Sequence, residues 1–328
     1  MSFSSRRPVR HYIHAAAALA VMALSTSHAR AAFPDKPVTL VVPYSAGGGT
    51  DAVARTIAKS LSMQWKQPVV VENRGGADGW LGTQHVLAQP ADGYTILMQI
   101  SQIMLWKWTL PNAKFDVIKD VRLVAKLQRS PMVLSVPASS EATSIQDFFA
   151  RCKVKQCSFG TATVYSQVVG AELFSASGIK NAVNARYKGT SPMMTDLLGA
   201  HIDLAFPSSA LAVPLSKDGK VRTLAVGSRE RYDKLPDTPT LQESGYPVEG
   251  DTWYGLMVRS GTPNEAFQAI VEGVKIASRQ PDVLEAITAQ GGIPVFDTPE
   301  AFLADVKRDM VTLEPLAQKY LTEESSKP

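Results

Sequence analysis

The sequence has 328 residues, of which 45% are apolar and 20% charged. This is globular composition, enough for one large domain or two, and it excludes a disordered or collagen-like chain. The formal net charge is +4, but Arg6, Arg7, Arg10 and Arg30 fall in residues 1–31, which hold no acid; removing those four from the 34 basic residues leaves as many as the 30 acids. No basic footprint for a nucleic acid remains.

Residues 1–31 read as a secretory signal. Arg6, Arg7 and Arg10 precede an apolar run over 15–24, and Ala29-Arg30-Ala31 puts small residues where a signal peptidase reads. Cleavage is expected after Ala31, with Ala29 as the alternative. The alternative is a membrane anchor, but the run is well short of the roughly 20 residues that span a bilayer. A soluble, exported, periplasmic protein is the expectation. Cys152 and Cys157 are the only cysteines. In an oxidising compartment they are expected to close a small disulfide loop, worth about 2 kcal/mol in the chain-entropy picture, with two free thiols as the alternative. The spacing is not C-x-x-C, and no further metal ligands cluster there.

The following chain alternates strand and helix patterns. A β-rich stretch over 37–44 leads into helical spacing over 50–64, where Val53, Ile57 and Leu61 share a face. Strands are expected over 68–72 and 94–100, with a short helix over 79–88 between them. The pattern restarts with a strand over 132–136 and continues through a helix at 145–151, a strand at 158–159, a helix at 167–177, a strand at 185–187, a helix at 192–198 and strands at 202–206 and 221–227. A strand over 253–258 returns the chain to the first unit, and helices over 264–278, 281–289 and 299–319 complete it. Such alternation predicts mixed, mostly parallel sheets flanked by helices, in two lobes. The expected bounds are 32–130 plus 253–328 for the first lobe and 131–252 for the second. Ligands of such sheets bind at the carboxyl ends of strands.

Three loops at such ends carry candidate chemistry. Tyr44-Ser45-Ala46-Gly47-Gly48-Gly49-Thr50-Asp51 joins a strand to a helix. Its glycines let backbone amides approach a ligand, and the helix start adds unpaired donors and partial positive charge, an anion-binding arrangement. Thr50 is the expected N-cap. The bland alternative is a tight turn that binds nothing. The second loop, Gly160-Thr161-Ala162-Thr163-Val164-Tyr165-Ser166, offers donors from the other lobe, or ordinary capping by Thr163 or Ser166. The third contains Tyr187 and Lys188, with Asp196 nearby as a candidate to orient a loop.

Rival chemistries can be tested on the first loop. The lysine of a P-loop is missing, because Gly49 is followed by Thr50-Asp51. Gly47-x-Gly49-x-x-Ala52, with Glu72 twenty residues on, matches the permissive dinucleotide fingerprint. An NAD-dependent oxidoreductase is therefore one alternative, although export argues against it. No G-x-S-x-G or H-E-x-x-H occurs, and after residue 31 only His85 and His201 remain to serve a triad. Nothing demands catalysis, a cofactor or a metal.

Taken in order, these segments resemble the Bug-type solute-binding proteins of tripartite tricarboxylate transporters. The resemblance rests on Phe33-Pro34-Asp35-Lys36-Pro37, the loop from Pro43 to Asp51, VVVENR over 69–74 and PADGYT over 90–95. It continues through AELF over 171–174, Tyr187-Lys188-Gly189, DLLG over 196–199, LPDTPT over 235–240 and Gly261-Thr262-Pro263. It implies a two-lobed Venus-flytrap receptor that captures small carboxylates and passes them to permease subunits in the membrane. On that basis the ligand is expected to meet Tyr44, Ser45, Ala46, Gly47, Gly48, Gly49, Thr50 and Asp51 from one lobe. Gly160, Thr161, Ala162, Thr163, Tyr187 and Lys188 are its expected partners on the other. The sequence departs from the family's habit at Trp80, where a small polar residue is usual, at Val164-Tyr165-Ser166-Gln167, and in having Cys152 and Cys157. If Trp80 and Tyr165 border the cleft, an aromatic carboxylate is expected rather than a plain dicarboxylate. A monomer is expected. A periplasmic receptor for a sensor kinase is a further alternative on the same fold.

Overall fold

The computed structural model describes residues 33–110 and 112–321. The expected signal segment and its cleavage site lie outside them. The first lobe is organised on strand β1 (Val38–Val42), whose side chains alternate between two buried faces. Val38, Leu40 and Val42 enter one apolar cluster and Val41 another. Helix α1 (Gly49–Trp65) covers the first face with Val53, Ala54, Ile57, Ala58 and Leu61. Each such buried aliphatic side chain larger than alanine contributes about 1.5–3 kcal/mol.

β1 is flanked by two parallel strands, β2 (Val69–Asn73) and β3 (Thr95–Ile100), with helix α2 (Trp80–Ala88) between them in sequence. A 3-10 turn (Ser101–Leu105) and the one-turn helix α3 (Trp106–Thr109) follow β3. Two long strands, β4 (Val121–Pro131) and β10 (Asp251–Arg259), then extend the sheet, and the short β11 (Ile293–Pro294) closes its edge in the order β11-β4-β10-β3-β1-β2. The second sheet runs β7-β6-β8-β5-β9. Its strands are β5 (Val133–Pro137), β6 (Ser158–Thr161), β7 (Val183–Arg186), β8 (Leu204–Ala205) and β9 (Val221–Val226). β6 lies parallel to both β7 and β8, so their carboxyl ends share one edge. From that edge rise α5 (Val164–Ala176), α6 (Thr190–Leu198) and α7 (Ser209–Lys217). Helix α4 (Ile145–Val154) precedes β6, and Cys152 in its last turn is joined to Cys157 as a disulfide.

The lobes are connected where β4 passes into β5 and where the chain returns into β10. There the backbone closes a ring of hydrogen bonds. Met132 N–H donates to Gly250 O, Gly250 N–H to Gly227 O, and Gly227 N–H to Met132 O, each at 2.8 Å. Gly227 is required by this approach, because a Cβ there would sit 2.5 Å from the Gly250 carbonyl oxygen. Gly227→Ala is expected to lower the urea midpoint by the equivalent of about 1–3 kcal/mol, since backbone and not a flexible side chain must move.

The carboxyl-terminal helices α8 (Asn264–Ala277), α9 (Pro281–Ala289) and α10 (Pro299–Leu321) return to the first sheet. α10 also reaches the second lobe, where Glu172 on α5 accepts from Tyr320 at 2.8 Å and Lys319 at 3.2 Å. Among the described residues no helix is long and apolar enough to cross a membrane.

Several elements escape the sequence pattern. β4 has Arg122, Lys126 and Arg129 spread along it, which hides a mostly buried strand. α7 holds Pro214, which reads as a break. α5 begins at Val164, ahead of the expected 167, because Thr163 caps it and Tyr165 and Ser166 are already helical.

Candidate functional site

The first loop is held from inside. Gly47 is in the left-handed region at φ 79°, which turns its amide onto Asp51 Oδ2 at 2.9 Å. The same oxygen accepts from Arg55 Nε at 2.9 Å, and Oδ1 accepts from Asn73 Nδ2 at 3.0 Å. Burial acts to raise the Asp51 carboxyl, but these hydrogen bonds and the Arg55 charge outweigh it and hold it below the ordinary value. Asp51 therefore shapes the loop. The α1 N-cap is Gly48 and not Thr50, which is buried as the second helical residue. The first intrahelical bond runs from Ala52 N–H to Gly48 O, so Gly49, Thr50 and Asp51 carry the orphan amides of the first turn. Ser45, Ala46, Gly47 and Gly48 are exposed. Tyr44 is half-buried, and its hydroxyl donates to Gln99 Oε1 at 2.8 Å. Burial and nearby Asp78 push that phenol far up, so it stays protonated.

On the second lobe, Thr163 and Ser166 form a reciprocal capping box at the start of α5. Thr161 Oγ1 donates to Asn184 Oδ1 at 2.8 Å. Gly160 is a packing residue, because a Cβ there would meet Ile202 at 2.5 Å. Tyr187 donates to Asp196 Oδ2 at 2.7 Å, so Asp196 fixes the strand end before α6, and burial with this contact pushes the phenol up to about 12. Lys188 is exposed. Tyr165 is buried and donates to the Asp251 carbonyl at 2.9 Å, tying α5 to the start of β10.

These ends converge on a cavity of about 150 Å³ between the lobes. Ala162, Thr163 and Tyr165 line it, as do Thr190 from the start of α6 and Ser208 from the N-cap of α7. The first lobe supplies Ser101, Gln102 and Tyr254, and Thr252 comes from the crossing segment at the start of β10. Tyr254 also touches the first loop, since its hydroxyl lies 3.3 Å from where a Gly49 side chain would start. Among the described residues no charged side chain lines the cavity. The starts of α5, α6 and α7 reach its lining, α1 lies beside Tyr254, and a helix start carries partial positive charge.

Of the residues expected to meet a ligand, Ala162, Thr163 and Tyr165 line this cavity, whereas Tyr44 to Asp51, Gly160 and Thr161 do not, and Tyr254 alone links the cavity to Gly49. Trp80 stands apart. Its ring packs edge-on against Trp106 at 5.5 Å and Phe115 at 6.2 Å, which makes it a packing residue. Tyr187 and Lys188 do not line the cavity either. Glu72, which a dinucleotide site would place on a ribose, is paired with Arg74 at 2.6 Å. Sequence reading missed Ser101, Gln102, Ser208, Thr252 and Tyr254. Only Ser208 carried a signal, as a serine ahead of an apolar helix start.

The family model described as the tripartite tricarboxylate transporter family receptor matches residues 53–311. BugT of Bordetella pertussis is 31% identical over 282 residues, covering 83% of this chain and 86% of its own. A TctC solute-binding protein from Polaromonas superposes with a TM-score of 0.78 at 28% identity, covering 88% of this chain and 99% of that one. An R. palustris protein solved with adipate superposes with a TM-score of 0.75 at 27% identity, covering 87% and 97%. The chain belongs to the tripartite tricarboxylate transporter family receptors, which are solute-binding proteins and not enzymes.

Proposed function

We propose that the protein captures a small organic acid in the inter-lobe cavity, in the periplasm, and delivers it to the permease subunits of a tripartite tricarboxylate transporter. The observation that carries this reading is the convergence of the α5, α6 and α7 N-termini on a cavity that no charged side chain lines among the described residues. A carboxylate placed there meets oriented amides and hydroxyls at about 1.5–3 kcal/mol for each charge-assisted bond. Contacts from both lobes exist together only in the closed form, so the ligand itself favours closure. We take residues 32–130 with 253–328 and residues 131–252 as the two lobes, and 1–31 as the segment removed on export.

Two facts favour an aliphatic acid over an aromatic one. Trp80 is engaged with Trp106 and Phe115, and the Tyr165 hydroxyl is engaged with Asp251. The adipate-bound relative supports the same class. A thermal-shift screen against C4–C6 dicarboxylates, hydroxy acids, benzoates and NAD tests the reading. The expected result is a stabilisation of about 2.7 kcal/mol by an aliphatic acid at 100 times its Kd. Binding of NAD alone, or of no acid at all, would overturn it.

A further inference from the structure

The hydroxyls around the cavity differ in one respect. Thr163 and Ser166 are bonded to each other, Tyr165 to the Asp251 carbonyl, and Thr252 Oγ1 to the Ser130 carbonyl at 3.0 Å. Gln102 is engaged with the Asp78 carboxyl. Ser101 is different. It opens the turn after β3, lines the cavity and is 1% exposed, and its Oγ is buried with no hydrogen-bond partner. A buried hydroxyl without a partner is costly, and a native structure keeps one where something else completes it. Ser101 comes from the first lobe, whereas the helix N-termini that line the cavity come from the second. Ser101 and those helix N-termini therefore line the same cavity from different lobes.

We propose that Ser101 is a specificity-determining residue that reads the second polar end of the bound acid. It makes this receptor select acids with polar groups at both ends over monocarboxylates of the same length. The inference rests on the capture reading above and adds the feature that discriminates among acids. Because the hydroxyl is unbonded in the protein itself, its removal leaves folding intact.

The test is calorimetry with two matched pairs, succinate against butyrate and adipate against hexanoate, on the wild type and on Ser101→Ala. The wild type is expected to bind one diacid at least tenfold more tightly than its matched monoacid. Ser101→Ala is expected to weaken that diacid about tenfold, to leave the monoacid within twofold, and to unfold at the same or a higher temperature. Equal binding of diacid and monoacid by the wild type would overturn the proposal and leave the capture reading standing. So would a variant that weakens both alike or neither, or one that is itself less stable. Binding of no acid by the wild type would overturn both.

Discussion

Replacing Lys126 with methionine is expected to cost about 3 kcal/mol of stability, read as a lower urea midpoint. Lys126 lies in the middle of β4 and its side chain is 6% exposed. Its ammonium meets Asp297 at 2.7 Å and also pairs with Asp305 on α10, so it clamps that helix to a strand that crosses between the lobes. Without it two carboxylates remain close together and poorly hydrated. Burial acts to raise Asp305, yet the Lys126 and Arg308 contacts hold it below the ordinary value. A depressed carboxyl contributes stability above its unfolded value and loses it as pH falls through the folded one. The gap between wild type and Lys126→Met is therefore expected to narrow on acidification below about pH 4. Adding Asp297→Asn and Asp305→Asn to Lys126→Met should recover most of the loss, because the uncompensated charges are gone. No recovery would show that packing of the lysine stem, and not charge, dominates.

Asp51→Ala is expected to weaken acid binding at least tenfold and to destabilise the fold by about 2–3 kcal/mol. Its carboxylate holds the Gly47 amide, the Asn73 side chain and Arg55 together, and its side chain is 4% exposed. Removing it leaves the Gly47 amide and the Asn73 and Arg55 side chains without their shared acceptor at the point where the loop must keep its shape. It also removes a negative charge from the first turn of α1. Asp51→Asn keeps the shape and loses the charge, so its effect should be intermediate. Since the Asp51 carboxyl is held below the ordinary value, its contribution is complete at neutral pH and disappears in acid. Calorimetry at neutral pH and urea titrations at two pH values would check both parts. Unchanged affinity in Asp51→Ala would mean that the loop does not shape the site.

The sequence alone determined the architecture, because that rests on local signals. Val38, Leu40 and Val42 alternate with period two, and Val53, Ile57 and Leu61 share a helical face. The triple glycine can be read as a helix start because its chemistry is local. The sequence could not assign Asp51, since its partners Gly47 and Asn73 lie on two different segments that only the parallel pairing of β1 with β2 brings together. Lys126 lies on a strand that the sequence pattern hid, and its two acids lie more than 170 residues downstream. Trp80 read as a ligand candidate because it departs from a family habit, yet long-range packing against Trp106 and Phe115 decided its role. Ser101 and Tyr254 are unremarkable in the sequence, and Ser208 shows only as a serine ahead of an apolar helix start. They meet because the parallel strands β1, β2 and β3 of one sheet and β6, β7 and β8 of the other each present their carboxyl ends at one edge, and the antiparallel β10 starts beside the carboxyl end of β3.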